Sequence, residues 1–221
     1  EILPMHALRQ GFETVQTEMG SETPPPLVGA TLSCLEVPLQ ARGLKAGDQR
    51  SAEEAALLAE SGPQLGLFLF GGDDQENRQT DTLLVYYLQE SKWRKPAYKG
   101  RPPSKRSRHT ASVITSQKTR TQQLLIFGGV GATNAVSLLD PATLEWSHPP
   151  TRVKPGEKEK AKRRAKKPGE EGDISDALLP CARFGHTATV CEGTRLMIFG
   201  GADFKGPLGD LYELDLAAEP M

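Results

Sequence analysis

The chain has 221 residues, 27 basic and 28 acidic for a formal net charge of −1, and is 37% hydrophobic with 22 Gly and 17 Pro, a length that suits one domain or two small ones. Its longest apolar runs, residues 65–70 and 124–127, fall far short of the roughly 20 residues of a membrane-spanning helix, and no basic-then-apolar leader is visible. The 3 Cys make no disulfide framework and their odd number fits a reducing compartment, while Asn77 and Asn134 lie in no glycosylation sequon, which sets aside secreted, membrane, collagen-like and wholly disordered classes.

In chain order, residues 7–17 read as an outer strand, with Phe12 where later units carry Trp. Pro24-Pro25-Pro26-Leu27-Val28-Gly29-Ala30-Thr31 leads into the next strand. Residues 36–64 read as an insertion, in which Ser51-Ala52-Glu53-Glu54 forms a capping box. It predicts one short helix ended by Gly62-Pro63. Leu67-Phe68-Leu69-Phe70-Gly71-Gly72 then reads as a buried strand stopped by two glycines. A further strand approaches Tyr87, and another starts at Trp93.

The same order recurs. Pro103-Ser104-Lys105-Arg106-Ser107-Arg108-His109-Thr110 precedes Leu124-Leu125-Ile126-Phe127-Gly128-Gly129, a strand towards Asp140, and Trp146. Pro180-Cys181-Ala182-Arg183-Phe184-Gly185-His186-Thr187 precedes Leu196-Met197-Ile198-Phe199-Gly200-Gly201 and a strand through Tyr212 to Asp215. In the first copy, Leu27 and Ala30 replace the Arg and His. Each unit is thus a strand A opened by Arg-x-x-His-Thr, a strand B ending in Gly-Gly, a strand C, and a strand D at Trp. Four short antiparallel strands that must stack on their neighbours are a propeller blade.

These motifs resemble the kelch repeat. The resemblance covers residues 24 to 216 and implies an all-β fold: kelch-type β-propeller blades in an incomplete ring, with one short helical insertion and one disordered basic insertion. The expected layout begins with residues 1–23, the end of a preceding blade or a closing strand. Unit 1 is 24–102 with its insertion at 36–64, and unit 2 is 103–151. The basic insertion is 152–176, and unit 3, residues 177–221, stops after strand C. The chain is expected to be a piece of a longer propeller.

The resemblance assigns structural roles to Gly71, Gly72, Gly128, Gly129, Gly200 and Gly201, which let blades pack closely, and to Trp93, Trp146 and Tyr212 between blades. Leu84 and Ser137 replace the Tyr in units 1 and 2. Arg106, Arg183, His109 and His186 repeat once per unit, so they read as hydrogen-bonding fixtures rather than catalysts. The arginines are expected to bond or ion-pair between blades. His6 and His148 have no ligand-like spacing, and Cys34, Cys181 and Cys191 form no metal motif. Asp73, Asp74 and Asp203 follow glycines and are weak cation candidates. The Tyr, His and Cys set of copper-radical kelch oxidases is not visible. No cofactor and no catalysis are expected.

Charge supplies the binding candidates. Residues 152–172 carry a net +5 and residues 91–109 a net +8, which leaves −14 for the remainder. Strand alternation puts the D-to-A and B-to-C connections on one face. Lys92, Arg94, Lys95, Lys99, Arg101 and Lys105, together with acidic Asp73 and Asp74, are therefore expected to share a partner-binding face. The run Lys158, Lys160, Lys162, Arg163, Arg164, Lys166 and Lys167 reads as a nuclear-localisation candidate.

The functional expectation is a non-enzymatic protein-interaction scaffold in cytoplasm or nucleus. Its partner would be an acidic or phosphorylated protein bound by loops. The alternatives are a regulatory or substrate-positioning domain of a larger enzyme (phosphatase, methyltransferase or ubiquitin-ligase adaptor) and, more weakly, a polyanion or nucleic-acid binder.

Overall fold

The computed structural model describes residues 15, 17, 21–37, 64–151 and 179–216. The expected N-terminal strand, helical insertion and basic insertion lie wholly or largely outside them.

Within the described residues the protein is all-β. The first sheet has the order β1-β2-β3-β4, formed by Thr31–Val37, Gln64–Phe70, Leu83–Tyr87 and Lys92–Arg94. The second repeats it as β5-β6-β7-β8, formed by Thr110–Thr115, Gln122–Phe127, Val136–Asp140 and Glu145–Ser147. In the third, β9 (Thr187–Cys191) pairs with β10 (Arg195–Phe199), and β10 pairs with β13 (Leu211–Asp215). A two-stranded hairpin, β11 (Ala202–Asp203) and β12 (Gly206–Pro207), follows the third glycine pair. All pairings in the three blades are antiparallel.

The register is the same in each blade. Phe70 faces Leu83, Phe127 faces Val136 and Phe199 faces Leu211 across the B–C pair. Side chains alternate along a strand, so one sheet feeds two cores. Phe68, Phe70 and Val85 of blade 1 meet Leu124, Ile126, Leu139 and Trp146 of blade 2. Leu125, Phe127 and Val136, on the other side of blade 2, meet Leu196 and Ile198 of blade 3. The all-apolar segment Leu124–Phe127 is therefore buried on both faces. The first strands β1, β5 and β9 lie next to one another and form the inner line of the stack.

Candidate functional site

Three loops, one per blade, enter the inner strands in a shared backbone geometry. Val28 bridges Asp73, Ser107 bridges Val130, and Phe184 bridges Ala202. The next position is left-handed in all three, with φ of 68° at Gly29, 55° at Arg108 and 64° at Gly185. The first loop keeps this form although it lacks the Arg and His, because its backbone carries the geometry.

Backbone hydrogen bonds join each loop to the neighbouring blade. Gly72 N–H donates to the Arg106 carbonyl at 2.9 Å, and Gly129 N–H to the Arg183 carbonyl at 2.8 Å. A ladder also runs along the loops: Arg108 N–H donates to Gly29 O and Gly185 N–H to Arg108 O, both at 2.8 Å. The approach excludes a side chain at the first glycine. A Cβ on Gly71 would lie 2.6 Å from Arg106 O, and one on Gly128 would lie 2.6 Å from Arg183 O.

The two repeated histidines sit in these seams. His109 Nε2 is 2.8 Å from Thr31 Oγ1 of blade 1, and His186 Nε2 is 2.9 Å from Thr110 Oγ1 of blade 2. Phe70 and Phe127 meet the two rings edge-on at 5.5 and 5.3 Å. Neither Nδ1 has a hydrogen-bond partner among the described residues. A proton on Nε2 leaves no buried N–H unpaired, so the neutral ring donates to threonine. Burial, with the Arg106 charge second, holds His109 down to about 3. Burial and Arg183 hold His186 down to about 4.

The arginines differ from expectation. Their guanidinium groups bond within their own blade, and it is the backbone carbonyl of the same residue that bridges to the next. Arg106 Nη1 donates to Gly128 O at 2.9 Å, with Nε and Nη2 on Ser104. Arg183 Nη1 donates to Gly200 O at 3.0 Å, and Nη1 and Nη2 grip the Asp210 carboxylate. That carboxylate raises the Arg183 pKa and is itself held low. The equivalent of Asp210 in blade 2 is Ala135, and burial lowers Arg106 to about 10.

Trp146 is buried and tilts against Phe70 at 5.4 Å, across the first seam. Trp93 tilts against Tyr86 at 5.2 Å, and its backbone N–H donates to Ser21 Oγ at 2.8 Å. The Tyr212 ring lies under Arg183, 5.2 Å from the guanidinium carbon, and burial raises its hydroxyl pKa.

The charged candidates divide. Lys105 and Arg108 are exposed on the loops beside the glycine clasp, whereas Arg106 is buried. Lys99 instead has its backbone against β8, with its N–H on Leu144 O, and so lies nearer the C–D end of the outer strand. Lys92 opens β4 at the corresponding end. Arg94 pairs with Glu90 and lies over Tyr87. Lys95 N–H donates to Glu22, and Arg101 is exposed. Asp74 and Glu76 both pair with Arg78. The Arg78 backbone N–H, then the Arg78 guanidinium and the Glu76 N–H, hold Asp74 below the usual range. Asp203 accepts two backbone N–H groups of its own turn. Among the described residues no cluster of His, Cys, Asp or Glu could hold a metal ion.

Two roles escaped the sequence reading. His148 joins Ser137 at 3.0 Å and the Arg101 carbonyl at 2.7 Å, tying the connector to blade 2. Asp210 is the other. Both occur in one unit only, so self-comparison could not reveal them.

The KLHDC2/KLHL20/DRC7 Kelch-repeats domain matches residues 47–166. This chain belongs to the kelch-repeat family. The mouse Rab9 effector protein with kelch motifs is 30% identical over 156 residues, covering 67% of this chain and 32% of that protein. Its Xenopus laevis counterpart is 30% identical over 157 residues, covering 67% and 34%. An Arabidopsis thaliana acyl-CoA-binding domain-containing protein 4 is 29% identical over 154 residues, covering 68% and 19%. The kelch chain thus spans about a third of the length of the Rab9 effectors it matches.

Proposed function

We propose that this kelch segment is a non-enzymatic interaction scaffold. Its B–C and D–A loop face takes an acidic or phosphorylated segment of a protein partner. One observation carries the reading. Asp74 and Glu76 are both engaged by Arg78 within their own loop, while Lys105 and Arg108 are exposed beside the glycine pairs. Fixed cations on a loop face recognise carboxylate or phosphate at low entropic cost. The repeated histidines are in seams and hydrogen-bonded to threonine, which supports a structural role. Lys92 and Lys99 play no part in this surface.

The test uses an array of acidic and phosphorylated peptides. Charge reversal at Lys105 and Arg108 is expected to weaken the best binders at least tenfold and to flatten their salt dependence. Unchanged affinities would remove the reading. Nucleic-acid binding, the weaker alternative, predicts steep salt dependence with DNA or RNA.

A second reading is that the segment positions substrates within a larger protein. It is favoured by the low coverage of its relatives, 19% for the acyl-CoA-binding protein. For the run Lys158 to Lys167 we propose nuclear import. Deleting residues 152–176 should then shift a fluorescent fusion out of the nucleus, and an unchanged distribution would reject it.

A further inference from the structure

Arg106 and Arg183 are two copies of one buried guanidinium, and one of them carries an anion. An arginine offers five N–H donors. Arg183 places all five: Nε on the Cys181 carbonyl, Nη1 on Gly200 O and Asp210 Oδ1, and Nη2 on Cys181 Sγ and Asp210 Oδ2. Arg106 places three, with Nε on Ser104 O, Nη1 on Gly128 O and Nη2 on Ser104 Oγ. One N–H of Nη1 and one of Nη2 thus have no acceptor among the described residues. In the third blade Asp210 takes the same two. Ala135 stands in its place and is exposed. The site belongs to the middle blade, which has a seam on either side.

Ser104 is the hydroxyl beside those donors. Its Oγ lies 3.1 Å from Arg106 Nη2, and the residue is exposed. The neighbouring hydroxyls are closed off, since Ser107 is 1% exposed and Thr110 is bonded to His186. Residues 101–104 belong to no strand. Between residues 91 and 109 there are eight Lys or Arg and no acid.

We infer that Ser104 is a phosphorylation site whose phosphate is held by Arg106. Ser104 Oγ attacks the γ-phosphorus of a nucleoside triphosphate held by a protein kinase. The Oγ–P bond forms, the bond to the bridging oxygen breaks, the nucleoside diphosphate leaves, and the hydroxyl proton passes to the kinase. A basic segment of this kind suits a kinase with an acidic substrate groove. The product carries nearly two negative charges and three strong acceptor oxygens. It gives Arg106 the anion that Asp210 gives Arg183, through charge-assisted bonds. The same phosphate sits next to Lys105 and offsets the positive charge of the loop face. Phosphorylation therefore tightens the second blade and turns down binding of acidic partners. The second effect rests on the function proposed above, and the first does not.

Phosphoserine encoded at position 104 of the full 221-residue chain tests both. Phosphorus NMR should place the second ionisation of the phosphate well below its usual value of about 6, and the chain should melt higher than its unmodified form. Both shifts should disappear in Arg106→Leu. They should shrink in Ala135→Asp, whose carboxylate competes for the same donors and which keeps the test should Arg106→Leu misfold. An ordinary phosphate titration with an unchanged melt overturns the inference. So does a folded wild-type chain that arginine-directed kinases with ATP leave unmodified at Ser104 by mass spectrometry, with Ser104→Ala as the blank. Affinity for acidic peptides should fall at least tenfold on phosphorylation, and an unchanged affinity in a chain that binds them overturns the switch. If the unmodified chain binds no acidic peptide, the function proposed above fails, and the ionisation and melting shifts still decide whether Arg106 holds the phosphate.

Discussion

His109 of the second blade closes a 2.8 Å hydrogen bond on Thr31 of the first, with its ring edge-on to Phe70. The ring is 5% exposed and neutral, with its pKa held down to about 3, and His186 repeats the arrangement with its pKa held down to about 4. Two seams therefore depend on an uncharged imidazole.

The pH dependence has a definite sign. In the unfolded chain each His titrates near 6.5, and in the fold it titrates near 3 or 4. Below pH 6.5 the unfolded state takes up protons that the fold refuses, so stability present above that value is lost as pH falls towards the folded pKa values. One depressed pKa unit is worth about 1.4 kcal/mol, so His109 alone costs about 3 kcal/mol at pH 4. Thermal melts of the wild-type chain should fall through this window. A His109→Gln, His186→Gln variant should be less stable at pH 7 but flatter between pH 6.5 and 4. Parallel curves would show that the seams do not set the acid response.

The first glycine of each pair should tolerate substitution according to whether a blade lies on it. In Gly128→Ala the new Cβ meets Arg183 O at 2.6 Å and His186 Cε1 at 2.5 Å, at a φ of 65°. Overpacking and left-handed strain together cost about 2–5 kcal/mol. In Gly200→Ala the φ is also 65°, but the nearest atom is 3.2 Å away. Only the strain remains, about 1–2 kcal/mol. Urea denaturation of the two variants should separate them. Equal losses would mean that the seam does not press on Gly128.

The blades were legible because the chain contains three copies of one solution. Aligning Phe70, Phe127 and Phe199 before their glycines, and Trp93 with Trp146, gives the B–C register and the outer strands that the sheets show. Features of a single unit were not legible. Asp210 aligns with Ala135 in the second unit, so comparison of the units had no repeated residue to find. The reach of a guanidinium also escapes sequence comparison. Arg106 and Arg183 repeat as if they bridged blades, yet the side chain curls back to its own glycine carbonyl while the main chain makes the bridge. Lys99 was assigned to the loop face by strand alternation alone. Its connector first doubles back along β8, which alternation cannot foresee.

Asp210 and Ala135 supply a natural exchange. Arg183, with a side chain 0% exposed, has a carboxylate 40% exposed beside it. Arg106 is 4% exposed and has three neutral acceptors instead, so desolvation holds its pKa down to about 10. Ala135 is exposed, so Ala135→Asp adds a carboxylate without burying one. Placed as Asp210 is, it should stabilise the second blade by about 1 kcal/mol, the solvent-facing carboxylate limiting the gain. Asp210→Ala should cost at least as much, because it leaves Arg183 buried with only Gly200 O and the Cys181 carbonyl and sulfur. The gain from Ala135→Asp should vanish when Arg106 is replaced by Leu, the residue found at position 27 in the first blade. A double-mutant cycle by urea denaturation measures this coupling directly. A stabilisation that survives Arg106→Leu would place its origin elsewhere than in the missing carboxylate.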